Sequence, residues 1–191
     1  MSKAAPISIR RMRGKREAEI CARALETSEP WITLRRRYKH SIKPLMDPSR
    51  EVYVATQGKE IVGFVLLDVR GPFRGYIHLL CVMPEWRNDG IGALLVKQVE
   101  QRVFREHPNV FLCVSSFNRA AQRFYKRMGF KPVARFDHPS GDFSSRATAC
   151  RANCSASPNL LSLILTVDRL LSVETRSGMS SSERANCVSA A

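Results

Sequence analysis

Apolar and polar positions alternate along Ile7-Ser8-Ile9-Arg10, the period of a strand with one buried face. From Glu17 to Leu25 the period lengthens. Ala18, Cys21, Ala22 and Leu25 recur at three- and four-residue steps, which predicts a helix. Ser28-Glu29-Pro30-Trp31 breaks it, and a second helix is predicted through Arg36 to Leu45, ending near Asp47-Pro48. Glu51–Thr56 and Ile61–Val69 are β-rich runs joined by Gln57-Gly58-Lys59, the pattern of a hairpin. Tyr76 to Met83 is a third long strand, stopped by Pro84. Gly90 to Glu106 is the clearest helix, with Ile91, Leu94, Leu95, Val99 and Val103 on one stripe. Val110–Ser115 reads as a strand. Asn118–Met128 reads as a helix, with Asn118 as N-cap and Gly129 past its end. Phe130–Phe136 is a last strand.

The predicted order is β-α-α-β-β-β-α-β-α-β. Strand, helix and strand from Tyr76 to Ser115 form a crossover unit, which demands a parallel pair inside an otherwise hairpin-built sheet. The fold class is therefore α/β, an α+β mixed sheet with helices on both faces. After Asp137 the composition changes. From His138 to Ala191 there is no Lys, Tyr or Trp, and Ser, Ala, Arg and Cys supply 27 of 54 residues. The predicted organisation is one domain over residues 6–137 and an atypical tail over 138–191.

Length and charge narrow the function classes. The chain has 191 residues, enough for one domain with a sizeable core and a tail. The longest uncharged apolar-leaning stretch, Ser155 to Asp168, is too short and Ser-rich to span a bilayer, and no apolar signal segment opens the chain. A cytoplasmic protein without membrane partners is expected. The six cysteines form no C-x-x-C pair and read as reduced thiols. His138, Cys150 and Cys154 lack a second ligand pair at zinc-like spacing, so no metal is expected. The net charge is +14, with five basic residues between Arg10 and Arg16 and Arg35-Arg36-Arg37 before Lys39. Such a surface favours anionic partners: nucleic acid, ribosome or a phosphorylated cofactor.

Two segments carry candidate chemistry. In Val82-Met83-Pro84-Glu85-Trp86-Arg87-Asn88-Asp89-Gly90-Ile91-Gly92 a strand ends, a polar loop turns, and a helix opens on two glycines. Free N–H groups at a helix N-terminus, with no Cβ in the way, favour a phosphate, and Arg87 adds a delocalised positive charge. The same stretch also reads as a plain helix start capped by Asp89. In the second segment Asn118 and Tyr125 stand seven residues apart, two helical turns, on one face. An amide and a phenol there suit holding and protonating a ligand; an N-cap and a core tyrosine suit the same pattern.

Taken together, the segments resemble the GNAT superfamily of acetyl-CoA-dependent N-acetyltransferases. Arg87-x-x-Gly90-x-Gly92 is similar to the family's pyrophosphate motif, and Asn118…Phe124-Tyr125…Gly129-Phe130 to its second motif. The resemblance covers about residues 6–137. It implies acetyl-CoA as acyl donor, no metal, and a cofactor slot between splayed fourth and fifth strands. Main chain at Leu80, Cys81 and Val82 would bond the pantetheine arm and thioester. Arg87, Asn88, Asp89, Gly90, Ile91, Gly92 and Ala93 would hold the pyrophosphate, Asn118 would contact the cofactor arm, and Tyr125 would act as general acid. The implied reaction moves the acetyl group to a primary amine (a protein N-terminus, a lysine or a small molecule) by direct attack. Two alternatives stand beside it: an acyl-CoA-binding or interaction module without turnover, and a basic ribosome- or RNA-associated protein on the same fold.

The chain departs from the pattern in places. Some relatives use a glutamate on the fourth or fifth strand as base; the corresponding places here hold Tyr76 and Cys113. His78, two residues from Tyr76 on the strand, is the candidate base, and a partly buried structural histidine is the plainer reading. Asp89 sets a carboxylate beside the expected pyrophosphate. Trp31, Phe73 and Tyr76 are candidates for the acceptor side. The charge disfavours polycationic acceptors and favours a free-standing protein or a neutral small amine, and it is compatible with a ribosomal or other anionic protein partner. Family members end with a seventh strand beside the fifth, and no early alternating apolar run follows Asp137. The tail is therefore expected to be frameshifted or disordered, leaving the fifth strand's edge incompletely covered; Leu160 to Val167 is the competing source of the strand.

Overall fold

Short amphipathic segments organise the molecule, a computed structural model that describes residues 5–70, 74–136 and 146–152. The strands are β1 (Ile7–Arg11), β2 (Arg50–Gln57), β3 (Glu60–Asp68), β4 (Tyr76–Val82), β5 (Asn109–Ser115), β6 (Lys131–Phe136) and β7 (Arg146–Ala152). The helices are α1 (Gly14–Glu26), α2 (Tyr38–Leu45), α3 (Ile91–Val103) and α4 (Arg119–Arg127), with a 3-10 turn at Pro84–Trp86. Through β6 this is the order the sequence predicts, with element ends displaced by a few residues.

The described strands form one sheet in the order β1-β2-β3-β4-β5-β7-β6. Neighbours run antiparallel except β4 and β5, the parallel pair that α3 connects. One face is covered by α1 and α2: Ala18, Cys21, Ala22, Leu25 and Leu45 bury against Val54, Phe64, Leu66 and Leu79. The other is covered by α3 and α4: Leu95, Val99, Val103 and Tyr125 bury against Tyr53, Val65, Leu67 and Ile77. At the entry to β4, Gly75 has φ +84, and a Cβ there would lie 2.6 Å from the Asn109 carbonyl oxygen. Only glycine lets β4 start this close to β5. Among the described residues no helix is long and apolar enough to cross a membrane.

The tail expectation is corrected at one point. The domain does not stop at residue 137, because β7 inserts between β5 and β6. It pairs with β5 from Asn109↔Ala152 to Ser115↔Arg146, so β5 has no open edge on that side. The reason it escaped the sequence pattern is chemical. Arg-Ala-Thr-Ala-Cys-Arg-Ala carries no large aliphatic residue, and a strand flanked by two others is specified by its main-chain ladders as much as by its side chains. The compact unit that contains the sheet runs to Ala156. Residues 138–145 and 153–191, with His138, Cys154, Cys187 and Leu160 to Val167, lie outside the described residues, as does Phe73.

Candidate active site

The site is set by where two strands part. β4 and β5 share only two register pairs, Tyr76↔Phe111 and Ile77↔Leu112. Beyond them the strands diverge while both keep their outer partners. The divergence begins where β4 carries a bulge: Leu67 faces Ile77 and the next residue of β3, Leu66, faces Leu79, so His78 has no β3 partner. Such an extra residue kinks its strand and raises its twist. The side chains of Leu80 and Val82 pack toward α3, and those of Leu79 and Cys81 toward α1 and α2. What β4 offers the gap from Leu80 to Val82 is therefore its main chain.

The chain leaving the diverging end of β4 turns into the start of α3. Asn88 has φ +73 and Gly90, the N-cap, has φ +77, so the loop turns through two left-handed residues. Asn accepts that conformation better than other side-chain-bearing residues. A Cβ on Gly90 would meet nothing within 4 Å, so the glycine is there for its backbone angle and the space above it is open. The Gly90 carbonyl accepts from the N–H groups of Ala93 and Leu94. No acceptor among the described residues bonds the N–H groups from Asn88 to Gly92. These orphan donors lie at the positive end of a helix dipole, which suits an anion. The plain capping alternative is not what forms, since no side chain caps α3. Asp89 is exposed, and Arg87 folds back so that its Nε donates to the Val82 carbonyl at 3.3 Å.

Cys81 is buried, and burial pushes its thiol up to about 11, against the opposing pull of the Arg87 charge and the neighbouring Ser28 hydroxyl. The Ser28 hydroxyl is itself buried without a hydrogen bond of standard geometry. Both groups lie under the α1–α2 connection, where Trp31 and Met83 pack against the same cluster. That connection thus covers the end of β4.

Helix α4 supplies the phenol. Asn118 is its N-cap, with Oδ1 accepting from the Ala121 N–H at 3.1 Å; its amide nitrogen remains the donor available to a ligand. Tyr125 sits in the last turn, roughly 10 Å along the helix axis. The structure therefore places the two at opposite ends of one helix rather than side by side. Tyr125 is held by the helix stop itself. Phe130 N–H donates to the Tyr125 carbonyl and Gly129 N–H to Lys126, with Gly129 at φ +87, the paired bonds of a Schellman motif. The Phe130 ring packs edge-on to Tyr125 at 5.5 Å and Phe124 does so at 5.0 Å. Burial raises the Tyr125 phenol well above its ordinary range, so it stays protonated at neutral pH.

His78 does contact Tyr76, ring to ring at 6.0 Å. Its Nδ1 lies 3.5 Å from Asp68 Oδ2, and Asp68 Oδ1 lies 2.8 Å from Arg50 Nε. Neither Asp68 nor Arg50 stands out in the sequence; the signal for Asp68 is a lone acid ending a long apolar strand. Among the described residues no group of three or more His, Cys, Asp or Glu could hold a metal ion.

Comparison with known proteins adds to this geometry. The profile of the acetyltransferase (GNAT) family matches residues 17–130. An uncharacterized N-acetyltransferase of Chlorobaculum tepidum is 30% identical over 95 residues, half of this chain and 59% of that protein, so the chain spans less than two thirds of its length. The peptidyl-lysine N-acetyltransferase YjaB of Salmonella typhimurium is 29% identical over 68% of this chain and 86% of its own. Among solved structures, a GNAT acetyltransferase of Elizabethkingia anophelis with acetyl-CoA bound superposes with a TM-score of 0.58 at 17% identity, over 76% of this chain and 97% of that one.

Proposed function

We propose that this chain, which belongs to the acetyltransferase (GNAT) family, transfers the acetyl group of acetyl-CoA to a primary amine by direct attack. The observation that carries the reading is the row of orphan amides at the start of α3, in the loop that follows the diverging end of β4. A phosphate cradle and a main-chain slot in that order fit a long ligand with a pyrophosphate at one end and an extended amide arm. The donor set fits acetyl-CoA: N–H groups and Arg87 for phosphates, strand main chain for the arm.

Acetyl-CoA supplies an activated acyl thioester. The N–H groups of Asn88 to Gly92 hold its phosphates, and the main chain from Leu80 to Val82 holds its arm and donates to the carbonyl oxygen as charge develops there. The Asn118 amide nitrogen donates to the arm. His78 takes a proton from the acceptor ammonium so that the neutral amine attacks. The new C–N bond forms as the C–S bond breaks, Tyr125 gives its proton to the departing thiolate, and the surplus proton on the acylated nitrogen then passes back to the Tyr125 oxygen through water. Burial keeps the phenol protonated at neutral pH, the state a proton donor needs. The relatives and the charge support one acceptor class over the others. The lysine named for YjaB directs attention to protein amines. The net charge of +14 favours an acceptor on an anionic protein, ribosomal ones included, over polycationic small molecules.

CoA release is the test, measured with acetyl-CoA against a panel of peptides, proteins and small amines. Gly90→Asp is the control, since it forces a Cβ into φ +77 and sets a carboxylate over the orphan amides. Acetyl-CoA should raise the melting temperature of the wild type and not of Gly90→Asp. A thermal shift without CoA release on any acceptor would leave a binding module in place of the enzyme.

A further inference from the structure

We propose that Asp68, anchored by Arg50, is the positioning residue that fixes the ring of His78 with its Nε2 lone pair toward the acceptor. The proposal rests on the reading of His78 as base. It starts from register. Arg50 pairs with Asp68 across β2 and β3, and Asp68 pairs with Tyr76 across β3 and β4. Three neighbouring strands thus set a guanidinium, a carboxylate and a phenol in one row on the face of α1 and α2. In an unbroken ladder His78 would pair with a β3 residue one step along. The bulge gives that pairing to Leu79 and leaves the imidazole beside the row, against Tyr76 and within 3.5 Å of Asp68 Oδ2.

The chemistry of the row is directional. The ion pair to Arg50 occupies Oδ1 of Asp68, which leaves Oδ2 to face the ring. A carboxylate beside Nδ1 selects the neutral tautomer with its hydrogen on Nδ1, so the lone pair is on Nε2. No partner bonds Nε2 among the described residues, and the side chain is 10% exposed, enough for one contact with water or an amine. When Nε2 takes the proton of the acceptor ammonium, the imidazolium formed lies against a charge of opposite sign. The proton leaves to solvent after the acetyl group has moved, and the row is restored. Charged and titratable groups about the row are Asp68 from β3, Arg50 from β2, Tyr76 from β4, and Asp47, whose Oδ2 is 3.7 Å from Arg50 Nε and on which the Arg70 charge also acts. Asp47 is engaged with Ser49, through its hydroxyl and main chain, and is held below the usual carboxylate range.

The position on the strand gives the row its use. His78 is the first β4 residue beyond the last β4–β5 register pair, so its ring stands at the mouth of the gap assigned above to the thioester. A histidine two residues earlier would lie against paired strands, and one two residues later would face α3, on the other side of the sheet.

Two measurements test the proposal. Long-range imidazole nitrogen spectra of the full chain, assigned by comparison with His78→Gln, read the tautomer without an acceptor. The neutral His78 of the wild type should carry its hydrogen on Nδ1. In Asp68→Asn that preference should be lost, and Asp68→Glu should restore part of it. The second measurement is the pH profile of kcat/KM for CoA release with the best amine of the panel. Its acidic limb should vanish in His78→Gln. An unaltered limb in His78→Gln overturns the base reading itself. A limb that depends on His78, with a tautomer indifferent to Asp68→Asn, overturns the positioning role alone. Should Asp68→Asn fail to fold, a wild-type hydrogen on Nε2 is sufficient to reject it.

Discussion

Removing a single oxygen from Tyr125 separates its packing from the general-acid role proposed for it. Tyr125→Phe keeps the ring that Phe124 and Phe130 grip and deletes the proton. We expect kcat to fall by about 10²-fold, the size usual for a general acid, with acetyl-CoA affinity nearly unchanged. Turnover at the wild-type rate would remove Tyr125 from the chemistry. Asp89 gives an opposite sign. It caps nothing and is exposed at the start of α3, so its charge acts on the helix dipole and on any bound phosphate. Asp89→Gly should destabilise the free protein by roughly 0.3–1 kcal/mol of lost dipole interaction, read as a small drop in melting temperature. It should also tighten acetyl-CoA a few-fold at low salt, with the gain fading as salt screens the charge. Calorimetric titration at two ionic strengths measures both. At this scale the sequence was informative about residue types. Arg87, Gly90, Gly92, Asn118 and Tyr125 draw attention because a phosphate loop and a capped helix would need those residues at those spacings; the left-handed Gly90 and the Asn118 cap are what the structure shows of them. Asp68 and Arg50 were not, because each gains meaning only from a strand it is distant from in the chain.

The stop of helix α4 is an element with a function beyond ending a helix. The bond from Phe130 N–H to the Tyr125 carbonyl and the contact of their rings belong to one motif, so the turn that terminates the helix also aims the phenol. Gly129→Ala forces a methyl into φ +87 at a cost of about 1 kcal/mol. For a chain of this size that lowers the melting temperature by roughly 2–4 °C. We expect kcat to fall with it, while KM for acetyl-CoA holds; Asn118, at the far end of the helix, is untouched. A matched surface substitution of equal stability cost should leave kcat alone, and steady-state kinetics of the pair decides. The strands show where periodicity stops being informative. β2, β3 and β4 announce themselves through Val, Ile, Leu and Phe. β7 is built on Ala, Thr and Cys between two arginines, and nothing in its composition distinguishes it from the surrounding tail. The bulge at His78 was hidden too: a one-residue excess on one strand is a property of two strands in register, which no single segment contains.

Across the whole molecule the positive charge is unevenly matched. Glu51 gathers Arg11 at 2.7 Å, Arg102 at 3.1 Å and the Tyr53 hydroxyl at 2.7 Å, tying β1, β2 and α3 together. Burial works to raise its carboxyl, but the hydroxyl and the two arginines outweigh it and hold it below the usual carboxylate range. A group depressed in the folded state stabilises it above the unfolded pKa and loses that stabilisation as pH falls through the folded one. Glu51→Gln should therefore cost about 2 kcal/mol near neutral pH, the scale of hydrogen bonds to a charged group. The penalty should shrink below pH ~4, where the unfolded carboxyl is itself protonated. Melting temperatures of the two proteins across that range should converge on the acid side; parallel curves would show that the carboxylate contributes nothing.

The parting of β4 and β5 has a mechanical consequence. Four strands lie on one side of it and three on the other, and the ladder between the halves is two residue pairs long. Successive amides of β4 point alternately to β3 and to β5. Beyond Ile77 every second one therefore faces a gap, while its neighbours stay locked. Solvent deuterium should enter β4 with a two-residue rhythm, fast and slow in turn, where an ordinary central strand would be uniformly slow. A ligand that fills the gap with its own amides acts as a splint across the two halves. The rhythm should then disappear when acetyl-CoA is added, and β5 should slow together with β4, turning a sheet with a seam into a continuous one.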